Sequence, residues 1–129
     1  MANWSSLVNY VTSNYKVSDQ QPEMLKLVFD TGDLRSQVVF LWRQILGEGE
    51  EWVQIESPVA ELGMVDLPRA LTAIGGMVCG ALAVVGGHVV VRHSAPLENL
   101  NINEFERPLM LVTSTADRLE RDLVGGDQY

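Results

Sequence analysis

Twenty-two consecutive residues, Ala70 to Val91, contain no Asp, Glu, Lys or Arg. A helix of about 20 apolar residues spans a bilayer, so this stretch separates a membrane protein from a globular domain. Gly76 and Gly80 even supply the GxxxG spacing of a transmembrane dimer face. Against a span stand five glycines, at 75, 76, 80, 86 and 87. Each costs a helix about 1 kcal/mol relative to alanine. The adjacent pairs at 75–76 and 86–87 divide the stretch into a helix end, a strand, a two-residue turn and a second strand. Two glycines meet the positive φ values that such a turn demands. The segment therefore predicts a short helix followed by a β-hairpin, not a bilayer anchor.

The rest of the chain supplies partners for that hairpin. Trp4, Leu7, Val8, Val11 and Tyr15 recur at helical spacing, which predicts a helix over about 3–15 with Asn3 as N-cap. Ser18 to Pro22 reads as a polar connection. Leu25, Leu27 and Phe29 alternate as a strand, and Asp30-Thr31-Gly32-Asp33 as a turn. From about Ser36 to Leu46, the run Val38-Val39-Phe40-Leu41-Trp42 is apolar on two faces. It is either covered twice or covered once with an adhesive second face. Gly47 to Glu51 is a hairpin turn, and Trp52 to Glu56 carries a third strand to Pro58. Asp66-Leu67-Pro68 starts a helix that Gly75-Gly76 stops.

Asn101 with Glu104 forms a capping box, and Leu100 with Phe105 its hydrophobic staple. Ile102, Phe105, Leu109, Val112, Ala116, Leu119 and Leu123 then repeat at spacings of three and four. Pro108 either kinks this helix or marks its start, and Gly125-Gly126 is expected to end it. Asp117, Arg118, Glu120, Arg121 and Asp122 read as an exposed face with i,i+4 ion pairs.

The 129 residues fit one domain, 1–129. Nine Lys and Arg against 17 Asp and Glu give a net charge of −8, which disfavours nucleic acid and anionic membrane surfaces. The single cysteine, Cys79, rules out an intrachain disulfide and any structural zinc site built on cysteines. The N-terminus lacks a signal-peptide pattern, so the cytoplasm is the expected compartment.

No catalytic constellation emerges. His88 and His93 lie five residues apart on one strand and point to opposite faces. Cys79 has no neighbouring base in the sequence, and neither a phosphate-binding glycine loop nor a nucleophile elbow occurs. Glu48, Glu50 and Glu51 fit a solvated hairpin tip. The chain is expected to be no enzyme, with no catalytic, metal or cofactor residues. Five predicted strands and three helices cannot cover every apolar face, and such uncovered patches mark partner or self-association sites.

The element order, and the segments Val89-Val90-Val91-Arg92-His93-Ser94-Ala95-Pro96-Leu97-Glu98-Asn99-Leu100, Phe105-Glu106-Arg107 and Ala116-Asp117-Arg118-Leu119-Glu120, resemble a known pattern. They are similar to the acidic, dimeric class I chaperones of type III secretion systems, and to the related YbjN-like family of sensory-transduction regulators. Pro108 departs from the YbjN-like pattern, in which a helix former usually stands there. The resemblance covers nearly the whole chain and implies an α+β fold in the order α-β-β-β-α-β-β-α. It implies an ATP-independent chaperone that acts as a homodimer and binds an extended segment of a client protein. The alternative it carries is a regulator that binds a folded partner or a ligand. Carried over by position, Leu71, Ile74, Met77, Val78 and Leu82 would lie at the dimer contact. Val39, Leu41 and Val53 would face the client with Phe40 and Trp42 inward, or the two faces would be exchanged.

Overall fold

A computed structural model describes residues 1–124. Helix α1 spans Trp4–Asn14, and Asn3 caps it as expected: its Oδ1 accepts from the Ser6 N–H at 2.8 Å while the Ser6 hydroxyl faces the Asn3 backbone. Such a cap contributes about 1 kcal/mol. Six strands follow in one antiparallel sheet: β1 Val17–Gln21, β2 Met24–Gly32, β3 Arg35–Leu46, β4 Glu50–Glu61, β5 Ala81–Val85 and β6 His88–Pro96. Their spatial order is β1-β2-β3-β4-β6-β5. Helix α2, Leu67–Ile74, lies between β4 and β5, and helix α3, Ile102–Leu119, closes the described fold. The architecture is α+β, as expected.

The sheet has one strand more than the sequence predicts. Ser18 to Gln21, read as a connection, belongs to β1, an edge strand that pairs with β2. Its residues are polar and almost all exposed, so no apolar alternation announces it. Asp19 and a bulge between Val17 and Asp19 roughen this edge, a usual defence against stray strand pairing.

The glycine pairs act as predicted. Gly75 caps α2, which Asp66 opens by accepting from the Arg69 N–H. Gly86 and Gly87, both at positive φ, turn β5 into β6. The uncharged stretch is thus a helix end and a hairpin, and among the described residues no helix is long and apolar enough to cross a membrane. Its first strand starts later than Val78, at Ala81. Gly80 precedes it at φ +103°, where an added Cβ would meet Val91 Cγ1 at 3.1 Å.

Helices α1 and α3 pack on one face of the sheet. Leu7, Val11, Leu109, Val112 and Ala116 meet Leu25, Leu27, Val39, Leu41, Val53, Ile55 and Val91 in a single cluster. Pro108 does not delay α3, which runs unbroken from its Asn101–Glu104 capping box past the proline. Beyond Leu119 the chain continues as a π-helical turn, Glu120–Val124; the expected stop at Gly125-Gly126 lies outside the described residues.

Two polar clusters correct the sequence reading. Asp117 and Glu120, expected on an exposed face, are buried. Arg35 reaches them from the start of β3, its Nε 3.1 Å from Asp117 Oδ1 and its Nη2 3.3 Å from Glu120 Oε1. The pairing fastens the β2–β3 hairpin to the end of α3. In mid-sheet, Pro58 has no N–H to donate, and a bulge separates it from Ala60. The buried Gln37 amide instead donates to Pro58 O at 2.8 Å and to Ser57 Oγ at 2.9 Å, while the Ser57 hydroxyl donates to Val38 O at 2.6 Å. Side chains here bridge β3 to β4 where the backbone ladder stops.

Candidate protein-binding surfaces

Along β3, successive side chains point to opposite faces. Val39 and Leu41, with Val53 on β4, have no exposed surface and lie under the helices. They occupy the core, so a client cannot reach them in this fold. The exchange of faces left open by the sequence is the arrangement observed: Val38, Phe40 and Trp42 point to the face that no helix covers.

That face is built from cross-strand rows. One runs Asp19–Lys26–Phe40–Glu56–Arg92–Ala81 across all six strands. A second joins Val28 to Val38 and Val90 to Ala83, with Pro58 beside Val90. In a third, Trp42 stands between Met24 and Gln54. The rings of Phe40 and Trp42 stack with centroids 6.0 Å apart and planes 24° from parallel. With Val38, Pro58 and Val90 they line a hollow of about 450 Å³, which Lys26, Glu56 and His88 also line. Arg92 donates to Glu56 Oε2 from Nη2 at 2.6 Å and from Nε at 3.0 Å, so a cation already faces this oxygen. Apolar walls beside a few polar groups are the usual make-up of a binding pocket.

The residues placed at the dimer contact gather around α2 and the start of β5. Val78 is 99% exposed and Leu71 56%, while Ile74, Met77 and Leu82 are half-buried, with Ile74 and Leu82 packed against the core. Beside them β5 is the outer strand of the sheet, and Val84 and Val85 on it are exposed. An uncharged outer strand leaves its backbone donors and acceptors free to pair with another chain.

Two further clusters involve titratable groups. Cys79 Sγ lies 3.3 Å from His93 Nδ1, a pairing that the sequence reading missed because the residues are 14 apart. Burial pushes the thiol pKa up and the imidazole pKa down. Both shifts favour the neutral pair, the opposite of an activated thiolate. On the helical side, Glu106 Oε2 accepts from the Tyr10 hydroxyl at 2.7 Å and also from the Tyr15 hydroxyl. These bonds hold the Glu106 carboxyl below its usual range. Burial, then the bond to Glu106, raises Tyr15 far above an ordinary phenol. Tyr10 also stacks edge-on against Phe105, and Tyr15 against Phe29, so the cluster joins α1 to α3 and β2. Among the described residues no cluster of three or more His, Cys, Asp or Glu side chains is arranged to hold a metal ion.

The fold is that of the type III secretion chaperones. A solved structure that matches is the crystal structure of the ExsC–ExsE complex, in which ExsC is a type III secretion chaperone. The similarity has a TM-score of 0.65 and 19% sequence identity, and it covers 95% of this chain and 97% of that one. No family model matches the sequence, and no curated protein matches it. The likeness to the YbjN-like pattern remains one of sequence motifs.

Proposed function

We propose that this chain is a non-enzymatic, ATP-independent protein-binding module that acts as a homodimer and holds an extended segment of a client on the open face of its sheet. The observation that carries the reading is that face itself. Val38, Phe40 and Trp42 form an apolar surface opposite the helices, where neither solubility nor core packing calls for them. Surfaces of this kind serve partners. The chaperone-like fold adds a precedent in which a partner protein is bound, although fold alone does not fix a client.

Two experiments separate the parts of this reading. Affinity capture with wild-type protein and with a Phe40→Ser/Trp42→Ser variant tests the client face: the expected result is a co-purifying protein retained by the first and lost by the second. Equal capture by both removes the open face as the client site. Light scattering at micromolar concentration tests self-association. A dimer is expected for the wild type, with monomer or insoluble protein for Leu82→Asp and Met77→Asp. Dimers of both variants would withdraw the contact around α2 and β5.

A further inference from the structure

We infer that Lys26 makes the open-face hollow selective for client segments that carry an acidic residue beside a bulky apolar one. The inference rests on the binding-module reading above and names the chemistry of what binds. Lys26 is the third residue of β2, half-buried, with Phe40 as its cross-strand neighbour on β3. It lines the hollow whose apolar wall is the Phe40–Trp42 stack. Among the described residues Lys26 makes no ion pair.

The acids nearest in register form no ion pair with it. Asp19, its partner on β1, accepts from Gln21 Nε2 at 3.2 Å. Glu56, two strands away, is held twice by Arg92. His88 also lines the hollow. The site therefore combines an apolar floor with one uncommitted cation in a chain of net charge −8. An incoming carboxylate gains the ammonium while its neighbouring side chain fills the hollow. An incoming lysine or arginine would meet the ammonium instead, and like-charge contact is a strong source of discrimination.

The partner is an extended peptide segment. In a strand, residues i and i+2 share a face, so one segment can present an acidic and an apolar side chain together to Lys26 and Phe40, which stand side by side on β2 and β3.

Selection from a displayed library of random 12-residue peptides tests the inference on the intact protein, with affinities of synthetic hits measured at low and at physiological salt. The expected hits need Phe40 and Trp42, and they are enriched in Asp or Glu within two residues of Leu, Ile, Phe or Trp. Lys26→Glu weakens them on the order of fivefold and shifts fresh selections toward Lys and Arg. Lys26→Gln, the milder change should Lys26→Glu not fold, removes the acidic preference without creating a basic one. Hits that need Phe40 and Trp42 but show no acidic preference, or that bind Lys26→Glu and Lys26→Gln unchanged, overturn the inference and leave the binding module intact. Absence of any hit dependent on Phe40 and Trp42 overturns both. A Phe40→Ser/Trp42→Ser variant that turns from dimer to monomer also overturns the inference, because a second copy then covers the face.

Discussion

Leu41 and Phe40 are neighbours in one strand, yet one lies in the core and the other on the open face. On the covered side, Leu25, Leu27, Val39, Leu41, Val53 and Ile55 fit against α1 and α3 with essentially no exposed surface. On the other side, Val28 is 44% exposed, and Phe40 and Trp42 lean on each other over a hollow. The two surfaces share apolar composition and differ in what satisfies them. The first is complete within the chain. The second keeps apolar area uncovered by the chain itself, and the proposed binding role rests on that difference.

The sharpest way to break this contrast is to truncate one residue on each side. Leu41→Ala is expected to cost about 3–5 kcal/mol, through lost burial and an unfilled cavity. Phe40→Ser should cost about 1 kcal/mol. Urea denaturation measures both, and equal losses would mean that the open face is packed as a core. Next in size is Arg35→Met, which leaves Asp117 and Glu120 buried without their guanidinium partner. A loss of about 2–3 kcal/mol is expected, discounted from a fully buried pair because Arg35 retains some exposure. Restoration of stability by Asp117→Asn and Glu120→Gln in the same chain would identify stranded charge as the cause.

The smallest effect is one of pH. The folded Glu106 carboxyl is held low by Tyr10 and Tyr15. Its stabilising contribution is therefore complete above the unfolded value of about 4.3, and it drains away as pH falls through the lower, folded value. Urea midpoints from pH 7 to pH 3 should show the wild type and Glu106→Gln converging only at the acid end. A gap that stays constant with pH would assign Glu106 a packing role alone. Tyr15 has the opposite sign: its raised folded pKa favours the neutral phenol, so its contribution is present below about pH 10 and lost as the pH rises beyond it.

Local signals in the sequence locate most of the elements. Asn3, Asp66 and Asn101 cap the three helices as their spacing suggests, and the glycine pairs at 75–76 and 86–87 fall at a helix end and a turn. These features depend on backbone groups a few residues apart, which a linear reading can see. Strand β1 escapes it because Ser18-Asp19-Gln20-Gln21 is exposed on both sides, so its pairing leaves no apolar trace. The orientation of β3 escapes for the converse reason: Val38-Val39-Phe40-Leu41-Trp42 is apolar throughout, and period two cannot say which set meets the helices. Arg35 with Asp117, and Cys79 with His93, are joined only by the fold. Asp117 and Glu120 look like surface residues until their partner, more than 80 residues earlier in the chain, is placed beside them.

The three tryptophans provide the most direct test that the open face is where a partner binds. Trp4 is buried on the helical side, with its Nε1–H donated to Pro22 O, whereas Trp42 stands on the open face. In protein labelled with 5-fluorotryptophan, 19F NMR follows the Trp4 and Trp42 resonances, told apart from that of Trp52 by substitution, during titration with a peptide selected for binding. A saturable shift of the Trp42 resonance is expected while Trp4 stays in place. A peptide that binds with the same affinity and leaves Trp42 unmoved would contradict binding at the open face.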